Sequence, residues 1–503
     1  MQKMEINRFI ILVTLFNMII YNIPLYNYSI NHLDFSINGI LTFLSVLILL
    51  FVVTFFIFSI IAFISIRLFK IFIIFIVIAN SIAIYFINTY NVILDRSMMG
   101  NLFNTDKAEI SSYLNIDIFL YLLILGVIPA IFISKIKIYK NSKKILISAI
   151  LTLIAGIILM YLNSATWLWL DKNFKKLGAL SMPWSYIINS IRYYSKKYKQ
   201  NKKEILLPKG SIKNNKKIAI VLVIGESARA KNFSLYGYNK DTNPYLEKRD
   251  DLILLKAKSN ATYTTASIHT LFSYKGSTSD SYEQLPNYLH RIGIKVIWKM
   301  NNHGGPILHI DKIEKSKDLK PLCKFKHCNK DEFLLTNIDK EIKNSDKIFI
   351  VLHTAGSHGP TYYKKYPKDF EIFKPVCKSV NLKKCSQNEL INAYDNTILY
   401  TDYFLNKAIE ILSKIKDREV VLIYISDHGE SLGEYGLYLH GTPYSIAPNE
   451  QKEVPFIIWA SKKLDINRTK WYNQKYLFHT ILGLFCIDTP IYNKNFDIIK
   501  GEK

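Results

Sequence analysis

The chain has 503 residues, half of them apolar, with 65 Lys and Arg against 40 Asp and Glu and a net charge of +25. Five dense apolar runs lie before about residue 163 and the remainder reads as ordinary soluble sequence, which excludes a purely cytosolic enzyme. A charged fraction of 21% excludes a disordered chain, and the length suffices for a large core.

The apolar runs cover 8–26, 37–66, 71–94, 118–134 and 145–162. Each is near the ~17–25 residues that carry an α-helix across a bilayer. The second is long enough to tilt, and the fourth holds Pro129, which a membrane helix accommodates as a kink. No small-residue cleavage site follows the first run, so it reads as a span and not as a cleaved signal. Lys3, Arg8, Arg67, Lys70, Lys135, Lys137, Lys140, Lys143 and Lys144 fall on one side of the membrane. Arg96 and Lys107, outnumbered by Asp34, Asp95, Asp106 and Glu109, fall on the other. The basic side is cytoplasmic, which puts the N-terminus inside. After five crossings, everything beyond Leu162 is outside.

Cysteine usage agrees with that placement. Cys323/Cys328 and Cys377/Cys385 are close pairs in loop-like, Lys-rich sequence, and in an oxidising compartment they read as two short-range disulfides. The alternative, a zinc knuckle, lacks the C-x2-C spacing. Cys486 is left over, expected as a buried thiol. Residues 171–217 carry 13 Lys and Arg against two acidic residues, net +11, with Trp167, Trp169 and Trp184 near the start. That pattern predicts an amphipathic segment on the outer membrane face, drawn to anionic head groups; a solvated basic linker is the plainer alternative. Because the stretch faces away from the cytoplasm, nucleic acid is not its partner.

From Lys216 onward, strands at 218–224, 295–298, 348–352, 420–425 and 455–459 alternate with helices at 282–292 and 389–415. This predicts an α/β layered domain with a largely parallel sheet, whose ligand sites form beyond the carboxyl ends of the strands. Polar clusters occur there. One strand stops at Gly225-Glu226-Ser227, another at Ser426-Asp427-His428-Gly429-Glu430, and a third runs into His353-Thr354-Ala355-Gly356-Ser357-His358-Gly359-Pro360. His440 follows about a dozen residues after His428. Glu, Asp and His converging on one sheet edge are oxygen and nitrogen ligands that Zn²⁺ accepts. A nucleophile is sought in Asn260-Ala261-Thr262-Tyr263-Thr264-Thr265-Ala266-Ser267-Ile268-His269, a hydroxyl-rich segment leading into an apolar helical run. A Thr at a helix N-terminus sits where backbone N–H groups and the helix dipole stabilise phosphate, although N-capping is the usual task of such residues.

Gly225-Glu226-Ser227-Ala228-Arg229, followed by Asn232-Phe233-Ser234-Leu235-Tyr236-Gly237-Tyr238 and Thr242-Asn243-Pro244, resembles the bacterial phosphoethanolamine transferases of the lipid A-modifying, polymyxin-resistance type. These belong to the alkaline phosphatase/sulfatase-like superfamily. The match extends through 353–363, Tyr394-Asp395-Asn396-Thr397-Ile398-Leu399-Tyr400-Thr401-Asp402 and Ser426-Asp427-His428-Gly429-Glu430-Ser431, and includes the five-helix membrane half. The resemblance implies a five-helix transmembrane domain over 1–163, a basic interfacial linker over 164–215, and a periplasmic catalytic domain of sulfatase-like α/β type over 216–503. It implies an inner-membrane enzyme that moves phosphoethanolamine from phosphatidylethanolamine to lipid A or lipooligosaccharide, or to a glycan or surface protein. By the same resemblance Glu226, Thr264, Asp427 and His428 hold zinc, with Thr264 the nucleophile that becomes phosphorylated. His358 and His440 contact the phosphoryl group or a second zinc, and Asn302 and His353 contact substrate. Asn101, Thr105 and Glu109 match a pattern that holds the lipid head group.

The chain departs from the family in two places. Where many relatives carry a disulfide flanking the nucleophile, it has Asn260 and Thr270, with His269 where a Pro often stands. A family lysine after the Asn302 position has no counterpart in His303-Gly304-Gly305-Pro306. Three other readings share parts of the pattern. A phosphoglycerol transferase of the lipoteichoic-acid-synthase kind is disfavoured by the Asn101/Thr105/Glu109 pattern and the Cys pairs. A sulfatase or phosphatase is disfavoured by the absence of a C-x-P-x-R motif and by five helices that a hydrolase does not need. A non-catalytic lipid-binding protein on the same fold is disfavoured by the intact Glu/Thr/Asp/His set.

Overall fold

The computed structural model describes residues 3–105, 107–163, 167–200 and 204–499. Contacts gather the chain into two units: Met1–Met99 with Leu114–Tyr194, and Gly100–Tyr113 with Ser195–Lys503.

The first unit is helical. Its apolar runs form α1 (Ile6–Tyr21), α2 (Ile23–His32), α3 (Ile37–Ile64) and α4 (Ile66–Tyr90). The chain then passes through α5 (Arg96–Asn104) and α6 (Lys107–Tyr113), and α7 (Ile116–Lys135) and α8 (Ser142–Leu162) complete the apolar set. Among the described residues α3, α4, α7 and α8 are long and apolar enough to span a membrane; α1 and α2 qualify as one span bent by 60°. The run expected to be a single helix over 8–26 breaks because Asn22 spends its amide on Met182, accepting from its N–H (2.9 Å) and donating to its carbonyl (3.0 Å). Pro24 two residues later has no N–H for the helix ladder. Pro129 lies inside α7. A π-helical turn over Leu122–Val127 precedes it, and the Leu125 carbonyl, which Pro129 cannot serve, accepts from Tyr21 Oη instead.

The expected linker is divided by the structure. It forms α9 (Trp167–Leu180) and α10 (Trp184–Gln200), and Leu177, Leu180, Met182 and Trp184 join the same apolar cluster as Phe9, Phe58 and Phe69. Trp184 Nε1 donates to Thr54 Oγ1 at 2.9 Å. This half of the basic stretch is therefore anchored in the helical unit by a few apolar residues.

The second unit is built on an eight-stranded sheet. Its strands are β1 (Ile218–Gly225), β2 (Leu252–Lys258), β3 (Lys295–Met300), β4 (Lys312–Lys315), β5 (Lys347–His353), β6 (Glu419–Ser426), β7 (Glu453–Ala460) and β8 (Trp471–Asn473). They lie in the order β8-β2-β7-β6-β1-β5-β3-β4, and only β7 runs antiparallel to its neighbours. Every residue of β1 is buried, as a strand covered on both faces requires, which is why it reads as an unbroken apolar run. Helices α11 (Thr264–Phe272), α12 (Leu285–Arg291), α13 (Gln387–Leu412) and α14 (Tyr476–Leu484) cover the sheet. On one side Leu271, Phe272, Leu285 and Phe478 pack with strand residues such as Ile220, Val296 and Trp298, each such buried side chain contributing ~1.5–3 kcal/mol. Cys323–Cys328 and Cys377–Cys385 are disulfide-bonded, while Cys486 is free and only half-buried, because the turn around it keeps it near solvent.

Candidate active site

The sheet order sets the site. β1 lies between the parallel strands β6 and β5, with Gly225 opposite Ser426 and Ile224 opposite His353. One residue beyond the first pairing, Glu226 and Asp427 emerge side by side, both fully buried. Ser227 then turns the chain in a left-handed conformation (φ 56°). In that position its Oγ donates to Glu226 Oε1 at 2.8 Å and its N–H donates to Asp427 Oδ1 at 3.1 Å. His428 follows Asp427, and its Nδ1 lies 2.9 Å from the Gly429 carbonyl. A carbonyl only accepts, so Nδ1 carries the hydrogen and Nε2 presents its lone pair to the site.

Thr264 is the first residue of α11, where the N–H groups of the opening turn have no intrahelical partner. Its Oγ1 lies 3.2 Å from Glu226 Oε2 and 3.3 Å from His428 Nε2. His428 Nε2 is also 3.5 Å from Glu226 Oε1 and 3.3 Å from Asp427 Oδ2. These separations fit a metal: the edge of a tetrahedron with zinc–oxygen or zinc–nitrogen bonds of ~2.0–2.1 Å is about 3.3 Å. Asp427 Oδ2 is buried without a hydrogen-bond partner among the described residues, an acceptor with nothing to receive. Glu226, Asp427 and His428 offer three ligand atoms that all lie within 4.8 Å of one another.

The electrostatics point the same way. Burial pushes Asp427 well above the ordinary carboxylate range and the adjacent Glu226 charge pushes it further. Burial acts on Glu226 too, but the imidazoles of His428, His358 and His440 and the Ser227 hydroxyl bring it below its usual value. Burial pushes His428 down to about 4 and His358 to about 3, the neutral forms that a ligand or hydrogen-bonding imidazole needs.

His440 Nδ1 is 3.2 Å from Glu430 Oε2, and its ring lies 4.4 Å from that of His428 and 5.1 Å from that of His358. Asn302 Nδ2 donates to Glu226 Oε2 at 2.5 Å. The structure thus brings together Glu226, Thr264, Asp427, His428, Asn302, His358 and His440. His353, the last residue of β5 and paired with Ile224, is fully buried, edge-on to Trp298 and near enough for the Glu226 charge to act on it, and neither ring nitrogen has a partner among the described residues. Thr105 Oγ1 donates to the Asn101 carbonyl at 2.7 Å, closing the end of α5, and the Glu109 side chain lies outside the described residues.

Three supporting residues had little signal in the sequence. Ser227 and Glu430 stand inside recognisable motifs, but only the turn geometry gives them tasks. Asp331 had none: its carboxylate accepts from Asn301 Nδ2 and from the Ala355 and Gly356 N–H groups, tying the Asn302 turn to the loop that carries His358. Arg229 of the Gly-Glu-Ser-Ala-Arg motif turns away from the reacting atoms. It pairs with Glu434 at 2.6 Å and donates to the Glu430 carbonyl, so it holds the partner of His440 in place. His269 also faces away, with Nδ1 2.9 Å from the Ser277 carbonyl.

Family comparison places two matches along the chain: residues 41–198 match the phosphoethanolamine transferase EptA/EptB family and residues 219–487 match the sulfatase family. Phosphoethanolamine transferase EptA of Helicobacter pylori is 42% identical over 444 residues, 84% of each chain. The solved integral membrane lipooligosaccharide phosphoethanolamine transferase A of Neisseria meningitidis superimposes with a TM-score of 0.90 at 28% identity, covering 99% of both chains. The periplasmic domain of phosphoethanolamine transferase EptC from Campylobacter jejuni is 37% identical, with a TM-score of 0.52, covering 59% of this chain and 97% of that one.

Proposed function

Because the chain belongs to the phosphoethanolamine transferase EptA/EptB family, we propose that it transfers phosphoethanolamine from phosphatidylethanolamine to lipid A or lipooligosaccharide through Thr264. The observation that carries this reading is the position of Thr264 Oγ1, at a helix N-terminus and 3.2 and 3.3 Å from Glu226 and His428.

Glu226, Asp427, His428 and Thr264 would hold one zinc ion, with His358 and His440 toward a second. Zinc bound there would acidify the Thr264 hydroxyl and offset charge on the phosphoryl oxygens. Thr264 Oγ attacks phosphorus, the bond to diacylglycerol breaks, Thr264 loses its proton and the diacylglycerol oxygen gains one. The first-turn N–H groups of α11 and the imidazoles of His358 and His440 stabilise the phosphoryl oxygens. An acceptor oxygen then attacks phospho-Thr264 and restores the hydroxyl. The acceptor assignment follows the neisserial relative, whose name gives lipooligosaccharide as its substrate. The catalytic unit lies in the periplasm and the helices in the inner membrane, in keeping with the two formed disulfides and the charge bias of the loops. A membrane-tied catalytic unit meets both lipid substrates at raised effective concentration.

Intact mass of the zinc-loaded protein incubated with phosphatidylethanolamine tests the reading. An adduct of about 123 Da in the wild type, absent in Thr264→Ala, is expected. An adduct formed from phosphatidylglycerol instead reassigns the donor, and no adduct with either lipid removes the transferase mechanism.

A further inference from the structure

We infer that Tyr394 is a positioning residue: its hydroxyl holds the Ser227 turn in the conformation that orients Glu226 and Asp427, an inference that rests on the zinc-dependent transferase reading above. Ser227 bonds both carboxylates, and it does so at φ 56°, in the left-handed region that a residue with a Cβ rarely adopts. Such a conformation persists only where the surroundings over-determine it. Here the peptide planes on both sides of Ser227 are pinned. In the plane before it, the Ser227 N–H donates to Asp427 Oδ1 at 3.1 Å. In the plane after it, the Ala228 N–H donates to Ser426 Oγ at 2.9 Å and the Ser227 carbonyl accepts from Tyr394 Oη at 2.7 Å. Ser426 ends β6 and Tyr394 belongs to α13, so sheet and helix grip the two ends of one peptide.

One hydroxyl serves both sides of the turn. The Arg229 N–H can only donate, and reaches Tyr394 Oη at 3.0 Å; the Ser227 carbonyl can only accept, and takes the phenolic proton. Tyr394 and Ser227 are fully buried, so water does not replace a lost partner. The ring itself is held by its neighbours: the Arg229 guanidinium lies 5.4 Å over it, and Tyr362 meets it edge-on at 5.5 Å. Thr397 follows three residues later on the same helix face. Its Oγ1 gives its proton to the Tyr394 carbonyl (2.6 Å) and so accepts from Ser357 Oγ at 2.7 Å. The Ser357 N–H in turn donates to the Glu226 carbonyl at 2.8 Å. Helix α13 thus supports Glu226 from two directions, through Ser227 and through Ser357. Holding the turn accounts for a buried helical segment, Tyr394-Asp395-Asn396-Thr397, that is polar at every position.

The test measures zinc affinity of the full-length protein in detergent, by competition with a chromogenic chelator, beside its melting temperature and the rate of Thr264 adduct formation from phosphatidylethanolamine. Tyr394→Phe keeps the ring and deletes only the hydroxyl. It is expected to weaken zinc binding by about tenfold, the lower end of what outer partners of metal ligands contribute, and to slow the adduct in step. Tyr236→Phe is the control, because Tyr236 Oη makes the same pair of bonds elsewhere: it accepts from the Phe456 N–H and donates to the Phe456 carbonyl, each at 2.9 Å. That variant should melt lower and bind zinc as the wild type does. A glycine takes positive φ without a Cβ penalty, so in a Ser227→Gly background Tyr394→Phe should cost about threefold or less. Unchanged zinc affinity in Tyr394→Phe, an equal loss in Tyr236→Phe, or the full tenfold loss in the Ser227→Gly background each overturns the role given to Tyr394. A wild type that binds no zinc overturns the metal reading and this inference with it. A wild type that binds zinc but forms no adduct overturns the transferase reading, and zinc affinity still decides the role of Tyr394.

Discussion

Asn302 Nδ2 donates to Glu226 Oε2 at 2.5 Å, the same carboxylate oxygen that Thr264 Oγ1 approaches at 3.2 Å. An amide from the turn after β3 therefore sets the orientation of a carboxylate at the end of β1. Outer partners of this kind typically account for ~10–100-fold in metal affinity or activity. Asn302→Ala should lower both zinc affinity, measured by competition with a chromogenic chelator, and transfer rate by that order. Asn302→Asp should be worse, because it sets a third carboxylate against Glu226 and Asp427. Unchanged zinc affinity in Asn302→Ala would show that Glu226 is held without it.

Gly356 has φ +44°, and a methyl group there would lie 2.7 Å from the Glu226 carbonyl oxygen and 2.8 Å from its nitrogen. Backbone cannot yield as the end of a side chain does, so Gly356→Ala should move Glu226 itself. Misplacement by about 1 Å costs ~100-fold in rate. Steady-state transfer should fall by about that much, with a lower melting temperature. A variant that turns over normally would mean that the Ser357–Glu226 backbone bond (2.8 Å) is not what positions the carboxylate.

Metal removal should be visible in stability as well as in activity. Without zinc, Glu226 and Asp427 face one another and Asp427 Oδ2 has no donor among the described residues. Zinc at ~100-fold over its dissociation constant should stabilise the protein by about 2.7 kcal/mol. Asp427→Asn removes one charge of the pair, so the stripped variant should melt no lower than the stripped wild type, yet gain little from zinc. Calorimetry with and without chelator distinguishes these outcomes.

Acid should destabilise the catalytic unit. Burial lowers His353 from its ordinary 6.5 to about 4, and His358 to about 3. Between those values and 6.5 the unfolded chain binds more protons than the folded one. The stability contributed by keeping them neutral is therefore complete above pH 6.5 and is lost progressively as pH falls toward 4. His353→Leu deletes one of these groups where neither nitrogen has a partner among the described residues, so the urea midpoint should depend less steeply on pH between 7 and 5. If this variant also keeps full transfer activity, His353 does not contact substrate.

Local pattern made much of the molecule legible. The apolar runs at 37–66, 71–94, 118–134 and 145–162 correspond to α3, α4, α7 and α8 within a few residues, because a helix crossing a membrane declares its length in composition. The strands β1, β5 and β6 were readable for a related reason, being buried on both faces. Less legible were β2, β4 and β8. Two of these are short, and β2 mixes buried with exposed positions, so no local signal sets them apart from loop. The break between α1 and α2 depends on Asn22 meeting Met182, a contact 160 residues apart that no local window contains.

The candidate site divides along the same line. Residue chemistry at strand ends was enough, from sequence alone, to nominate Glu226, Asp427, His428 and His358, because a single Asp-His pair is commonplace but several such clusters at the ends of apolar runs are not. Which of them meet was decided by the order β6-β1-β5 and by register: pairing of Gly225 with Ser426 sets Glu226 beside Asp427, while pairing of Ile224 with His353 keeps that histidine in the core. The family resemblance named Thr264 and Asn302, but only tertiary structure brings them, from a separate helix and a distant turn, onto Glu226, and Asp331 comes from a sequence without pattern. Side-chain distances of 2.5 to 3.5 Å depend on how whole layers pack, and a linear sequence records residue types and spacing but not that packing.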